Sequence, residues 1–177
     1  TKGDFNQLEI QYDSVRELSE LNTDGNAEAY PWISNDGLRL YIIKQFGEID
    51  RLMYTERPHP DSLFAEPEVL SFDLGDQDYL SPWLSDDELN IFFTYREISG
   101  NLSTSLYRAT RSAISEDFGP PELVSLLADA FGFAAAPSFT QDLDQLFIYS
   151  VEEILWFTKI GVNTYELTNV LYPPNNF

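Results

Sequence analysis

Pro31-Trp32-Ile33-Ser34-Asn35-Asp36-Gly37-Leu38-Arg39-Leu40-Tyr41 is written twice more in this chain, with changes. The second copy is Pro82-Trp83-Leu84-Ser85-Asp86-Asp87-Glu88-Leu89-Asn90-Ile91-Phe92, and the third is Pro137-Ser138-Phe139-Thr140-Gln141-Asp142-Leu143-Asp144-Gln145-Leu146-Phe147. Each copy places a Ser or Thr, then an Asp, then an aliphatic residue at the same offsets from its Pro. The prolines recur roughly every fifty residues, a period that marks a repeat architecture. The repeat specifies shape and, by itself, no activity.

The rest of the unit repeats as well. A strand-like run follows each Asp: Leu38 to Lys44, Leu89 to Tyr95 and Asp144 to Ser150. A second run spans Leu52 to Arg57, Leu106 to Arg111 and Leu155 to Lys159. Aligned on its leading Leu, this run sets Trp156 beside Met53 and Tyr107, in a core position. A third run covers Phe64 to Leu70 and Phe118 to Val124, with Tyr165 to Val170 as its counterpart in the last copy. Aromatic and branched residues punctuated by Gly, Pro, Asn and Asp read as strands rather than helices. Four short strands per unit make the blade of a β-propeller. The chain therefore reads as all-β, with about three four-stranded blades over 29–78, 79–133 and 134–177. Residues 1–28 read as the end of a preceding blade or as an N-terminal closing strand.

Pro-aromatic-x-Ser-x-Asp-Gly-Leu-x-Leu-Tyr, followed by Leu-Tyr-x-Ala-Thr-Arg and Phe-Gly-x-Pro, resembles the TolB-like (WD40-like) β-propeller repeat over roughly residues 14–170. Ser138 in place of Trp and Leu143 in place of Gly depart from that pattern. The resemblance implies a propeller of the bacterial envelope or of a secreted protein, periplasmic or extracellular, that binds other molecules or sits beside another domain. It implies no single chemistry, because one fold hosts many functions.

The motif also has a direct physical reading. A Pro can open a strand where no ladder donor is needed. Ser34, Ser85 and Thr140, with Asp36, Asp87 and Asp142, can bond back to nearby amides in a tight turn. Gly37 supplies the positive φ that such a turn wants. Leu40, Ile91 and Leu146 are then expected in the packing between blades. The competing reading makes the three Asp residues ligands or catalytic acids. One Asp per repeat at a fixed offset is what a turn requirement produces, so the structural role is the expectation. Trp32 and Trp83 occupy matching places. They are the candidate binding residues if they line an open face, and blade-to-blade packing residues otherwise.

Composition bounds the chemistry. The chain is 43% hydrophobic and 15% aromatic, enough for a core. A net charge of −20 argues against nucleic acid and anionic lipid surfaces. No apolar run is long enough to span a membrane. There is no Cys and one His, His59, set between prolines on a loop, so neither a thiolate nor a His-based zinc site is expected. Acid clusters occur at Asp73 to Asp78, Ser85 to Glu88 and Thr140 to Asp144. They are compatible with calcium, but none matches an EF-hand loop. No cofactor and no metal centre is expected. Asn101-Leu102-Ser103 matches a glycosylation sequon.

These observations support a non-catalytic interaction or scaffolding module, a propeller presenting loops to a protein or glycan partner. The alternative is a hydrolase or lyase with an acidic site on the propeller's central face or on a further domain. Three blades leave faces and edges to be covered. The expectation is therefore a segment of a larger propeller or closure by a homo-oligomer. Alternation in Phe5 to Tyr12 fits a strand added to a neighbour.

Overall fold

The computed structural model describes residues 16–22, 25–70, 72, 74, 78–96, 104–127, 135–150 and 153–171. The Phe5 to Tyr12 strand, the Asn101 sequon and most of the Asp73 to Asp78 cluster lie outside them. Blade 1 is a sheet of β1 (Glu28–Ile33), β2 (Arg39–Phe46), β3 (Ile49–Glu56) and β4 (Glu68–Val69), in that order. Blade 2 is built the same way from β5 (Asp78–Leu84), β6 (Asn90–Arg96), β7 (Thr104–Thr110) and β8 (Glu122–Leu123). Blade 3 comprises β10 (Ala135–Phe139), β11 (Gln145–Ser150), β12 (Glu153–Gly161) and β13 (Thr164–Leu171). No helix occurs among the described residues. The chain is all-β, and its antiparallel sheets are consecutive blades of a partial β-propeller.

Blade 3 departs from the expected four strands. β9 (Ser125–Leu127), in the connection from blade 2, pairs in parallel with β13 and covers that edge. Its outer hairpin is tight, whereas blades 1 and 2 reach their two-residue outer strands through long connections.

The repeated motif builds one turn three times. The Ser34 hydroxyl donates to Asp36 at 2.6 Å, Asp36 accepts the Leu38 amide at 3.0 Å, and the Ser34 oxygen accepts the Arg39 amide at 2.9 Å. Ser85, Asp87, Leu89 and Asn90 make the same set, as do Thr140, Asp142, Asp144 and Gln145. Gly37 has φ +72°, and the residues in its place in the other copies, Glu88 (+56°) and Leu143 (+60°), are left-handed as well. That conformation costs a side-chain-bearing residue about 1–2 kcal/mol, so surrounding contacts must hold it.

One such contact recurs in all three blades. The carbonyl of the left-handed residue accepts a hydrogen bond at 2.8 Å from Arg57 Nε at Gly37, Arg111 Nε at Glu88 and the Tyr165 hydroxyl at Leu143. Arg57 and Arg111 lie over the Phe64 and Phe118 rings, each 4.4 Å from the centroid. In blade 3, Lys159 stands where the other blades have Arg, and Tyr165 supplies the donor. Burial pushes the Tyr165 hydroxyl up to about 12, so it remains a donor at neutral pH.

The prolines do not open their strands. Pro31, Pro82 and Pro137 sit within β1, β5 and β10, each just after a β-bulge residue of positive φ: Tyr30, Ser81 and Ala136. A bulge interrupts the ladder, which accommodates a residue without an N–H inside the strand.

The two faces of each blade have distinct tasks. Tyr41, Ile43 and Leu52 of blade 1 share a cluster with Leu84, Ile91 and Phe93 of blade 2. Phe92 and Leu106 on the other face of blade 2 pack with Phe139, Leu146 and Ile148 of blade 3. Ile91 and Leu146 thus lie between blades, whereas Leu40 faces the other side of blade 1, against Leu21, Met53 and Phe64. Trp156 is not a core residue. It pairs with Phe147 across the strands, as Tyr54 pairs with Tyr41 and Arg108 with Phe92. Alignment on the leading Leu misplaces it by one residue, and a one-residue shift moves a side chain to the opposite face. The basic residue that closes the run is the correct anchor.

Candidate functional site

The junction of blades 1 and 2 carries the richest chemistry among the described residues. Its centre is Glu88, the last residue of the Ser85 to Glu88 acid cluster, which is only 3% exposed. Arg39 Nε donates to its two carboxylate oxygens at 3.0 and 2.8 Å, and Arg39 Nη2 reaches it at 2.7 Å. Arg111 approaches from the other side at 3.6 Å and donates to the Tyr41 hydroxyl at 3.1 Å. Arg39 also pairs with Asp36 at 2.8 Å, linking the first turn to the network. The hydrogen bonds that Arg39 donates to Glu88 hold its guanidinium charged, well above its ordinary range, against the opposing cost of burial.

A cleft of about 730 Å³ opens over this network. One wall is the sheet surface of Arg39, Tyr41, Tyr54 and Glu56, and the other is the 111–118 connection with Glu116, Asp117 and Phe118. Burial raises the Tyr41 and Tyr54 hydroxyls, with the Glu56 carboxylate adding to the effect at Tyr54. Both are therefore neutral donors, and Tyr54 spends its proton on Glu56 at 2.8 Å. Neither arginine is free to serve an anion, since Glu88 and Asp36 already balance them. The cleft offers aromatic surface with an acidic rim.

The equivalent place at the junction of blades 2 and 3 is filled by the chain itself. There the tip of the tight β12–β13 hairpin docks. Asn163 Oδ1 accepts from Arg108 at 2.8 Å, its amide donates to Glu122 at 2.5 Å, and its carbonyl accepts the Ser125 amide at 2.8 Å. Arg108 and Asn90 there occupy the places of Tyr54 and Arg39. The longer connection of blade 2 stands off where the hairpin of blade 3 closes down, and that difference makes the cleft.

The other candidate residues take the following places. Trp32 meets Tyr41 edge-on at 5.8 Å and packs on the core between blades 1 and 2. Trp83 lies 5.0 Å from Phe139 and 5.9 Å from Phe92, between blades 2 and 3. Both are partly exposed, and neither lines the cleft. His59 sits on an exposed loop beside Asp61. Asp78 is buried, held by Arg96 Nε at 3.0 Å and by the Asp50 amide at 3.0 Å. Burial, reinforced by Asp78, raises Asp50. No group of three or more His, Cys, Asp or Glu residues is placed to hold a metal ion among the described residues. No helix among them is long and apolar enough to cross a membrane.

The turn carboxylates titrate low. The Ser34 hydroxyl and Leu38 amide hold Asp36 down to about 2. Ser85 and the Leu89 amide lower Asp87, and Thr140 and the Asp144 amide lower Asp142. A carboxylate lowered in the folded state stabilises it above the unfolded value, about 4, and loses that contribution as pH falls through the folded value. The thermal midpoint should therefore fall between about pH 4 and pH 2, and the triple variant D36N/D87N/D142N should show a flatter profile there. Equal slopes in the two proteins would remove the turns from the acid response.

No protein-family model matches the chain, and no curated protein matches it. Among solved structures, one from a study of two prolyl endopeptidases, concerned with inter-domain dynamics in catalysis and specificity, matches with a TM-score of 0.46 at 13% identity. The match covers 80% of this chain and 22% of that one, so the chain spans under a quarter of that neighbour's length. Nothing about activity follows from a likeness of that size.

Proposed function

We propose that the chain is a non-catalytic interaction module, a TolB-like propeller segment of the bacterial envelope or the extracellular space that receives a protein partner in the cleft between blades 1 and 2. The observation that carries this reading is the cleft's chemistry. Its arginines and tyrosines are engaged with neighbouring side chains, which leaves aromatic surface and acids for contact. The acidic rim and the net charge of −20 favour a basic polypeptide segment over a neutral glycan. Of the acids that a hydrolase or lyase could draw on, Asp78 is already committed to Arg96 and the Asp50 amide.

Calorimetric titration with a lysine-rich peptide and with a neutral hexasaccharide tests the reading. The peptide should bind, more weakly as salt rises, and E116Q/D117N together with Tyr54→Ala should weaken it at least fivefold. The charge-matched control D61N/E66Q, on another loop, should leave binding unchanged. Equal loss in the control, preference for the saccharide, or cleavage of either probe would overturn the proposal.

A further inference from the structure

The two internal junctions of this protein follow one rule, and the forward face of blade 3 follows the same rule without an occupant among the described residues. At each junction the forward face presents the residue ten past the Pro, Tyr41 or Phe92, with a branched or aromatic neighbour beside it. The following blade answers with the residue two past its own Pro. Leu84 (1% exposed) is buried in the first junction, and Phe139 (8%) stacks 4.0 Å from Phe92 in the second. Blade 3 repeats the first half. Phe147 lies ten past Pro137 and stacks on Trp156 at 6.0 Å, with Ile154 (40% exposed) and Leu171 (38%) on the same face. Their counterparts Leu52 (0%) and Leu106 (3%), in the place of Ile154, are buried. Blade 1 repeats the second half. Ile33, two past Pro31, is 49% exposed on the rear face, whose outer strands Leu18 and Leu21 cover.

Each chain therefore carries one forward half of a junction that it already builds twice and the inner-strand part of a rear half, Ile33, since Leu40 and Ile42 (each 4% exposed) are already covered by its own Leu18 and Leu21. We propose that the forward face of blade 3 docks the inner strand of blade 1 from a second copy of this chain, with Ile33 of that copy against Phe147. Ser138 stands where the first two blades have Trp32 and Trp83, which leaves room on the inner strand beside Phe147 for the incoming side chain. The contact is head-to-tail, and such a contact forms a closed ring when its rotation completes the circle. The ring proposed is of two, and in it each copy meets the other twice. This contact is independent of the cleft between blades 1 and 2.

Sedimentation equilibrium of the chain across a hundredfold concentration range tests the proposal, with circular dichroism as the check on folding. The wild type should reach a dimer. Ile33→Glu and Ile154→Glu should each raise the dissociation constant at least tenfold while keeping the β spectrum. Mixing the two variants should restore part of the association, because one of the two contacts in the mixed dimer is then wild type on both sides. A wild-type monomer over the whole range would overturn the proposal. So would a dimer that Ile154→Glu breaks and Ile33→Glu leaves intact, since that pattern belongs to a face pairing with itself. Growth beyond the dimer would overturn the closed geometry and with it the proposal.

Discussion

Glu88→Gln is expected to lower the unfolding free energy by about 3–5 kcal/mol, the usual cost of removing one partner from a buried ion pair. The substitution keeps size and shape, removes the charge and turns one of the two oxygens that accept from Arg39 into an NH2 donor. Two guanidiniums, Arg39 and Arg111, then remain at a junction where their side chains are 17% and 7% exposed. The loss is a large share of the 5–15 kcal/mol typical of a folded domain. Urea unfolding gives the value, and a double-mutant cycle with Arg39→Met separates the pair term from the rest. In that cycle the second substitution should cost much less on the Gln background, because the charge it removes has already lost its buried counterpart and keeps only the exposed Asp36. A loss below about 1 kcal/mol would mean that the pair is screened as surface pairs are. The junction would then rest on its apolar cluster alone.

The Glu88 case shows how far sequence reaches here. The turn is legible because every group in it is local. Ser34, Asp36 and the amides of Leu38 and Arg39 lie within a few residues, so one motif carries the whole geometry and three copies repeat it. The strands are legible for the same reason, since alternation is a local pattern. The role of Glu88 depends instead on Arg39, on the preceding blade, and nothing near Glu88 in sequence marks that partner. A sharper signal was present: a charged residue stands in the glycine place of the motif, and an L-residue held left-handed needs contacts to hold it. Trp156 failed for a related reason. The second run is one residue shorter in the third copy, so its leading Leu and its closing base disagree about register, and the base is right because its backbone and side chain fix the end of the strand. β9 was invisible because a parallel pairing between the connection and β13 leaves no periodic trace in three residues. The cleft was invisible because it arises from the difference between two connections, one long and one tight, each ordinary by itself.

Phe92→Ala is expected to cost about 4 kcal/mol, in the range measured for a large aromatic removed from a packed core. The ring is 1% exposed, lies 4.0 Å from Phe139 and 5.9 Å from Trp83, and has the Arg108 guanidinium 5.7 Å from its centroid. Phe147→Ala is the internal control. It removes the same side chain from the same place in the repeat, on a face that no following blade covers among the described residues. In dilute solution it should cost less than half as much, because a half-buried ring loses less apolar area and leaves no closed cavity. The pair of variants also reports on the second copy. Binding to the folded state adds stability by mass action. If a blade 1 strand docks on Phe147, the cost of Phe147→Ala should therefore grow with protein concentration, while that of Phe92→Ala stays fixed. Thermal unfolding of both variants at two concentrations a hundredfold apart makes the comparison. Equal costs for the two in dilute solution would show that the forward face of blade 3 is already covered within one chain, and a concentration-independent Phe147→Ala would separate that face from any assembly.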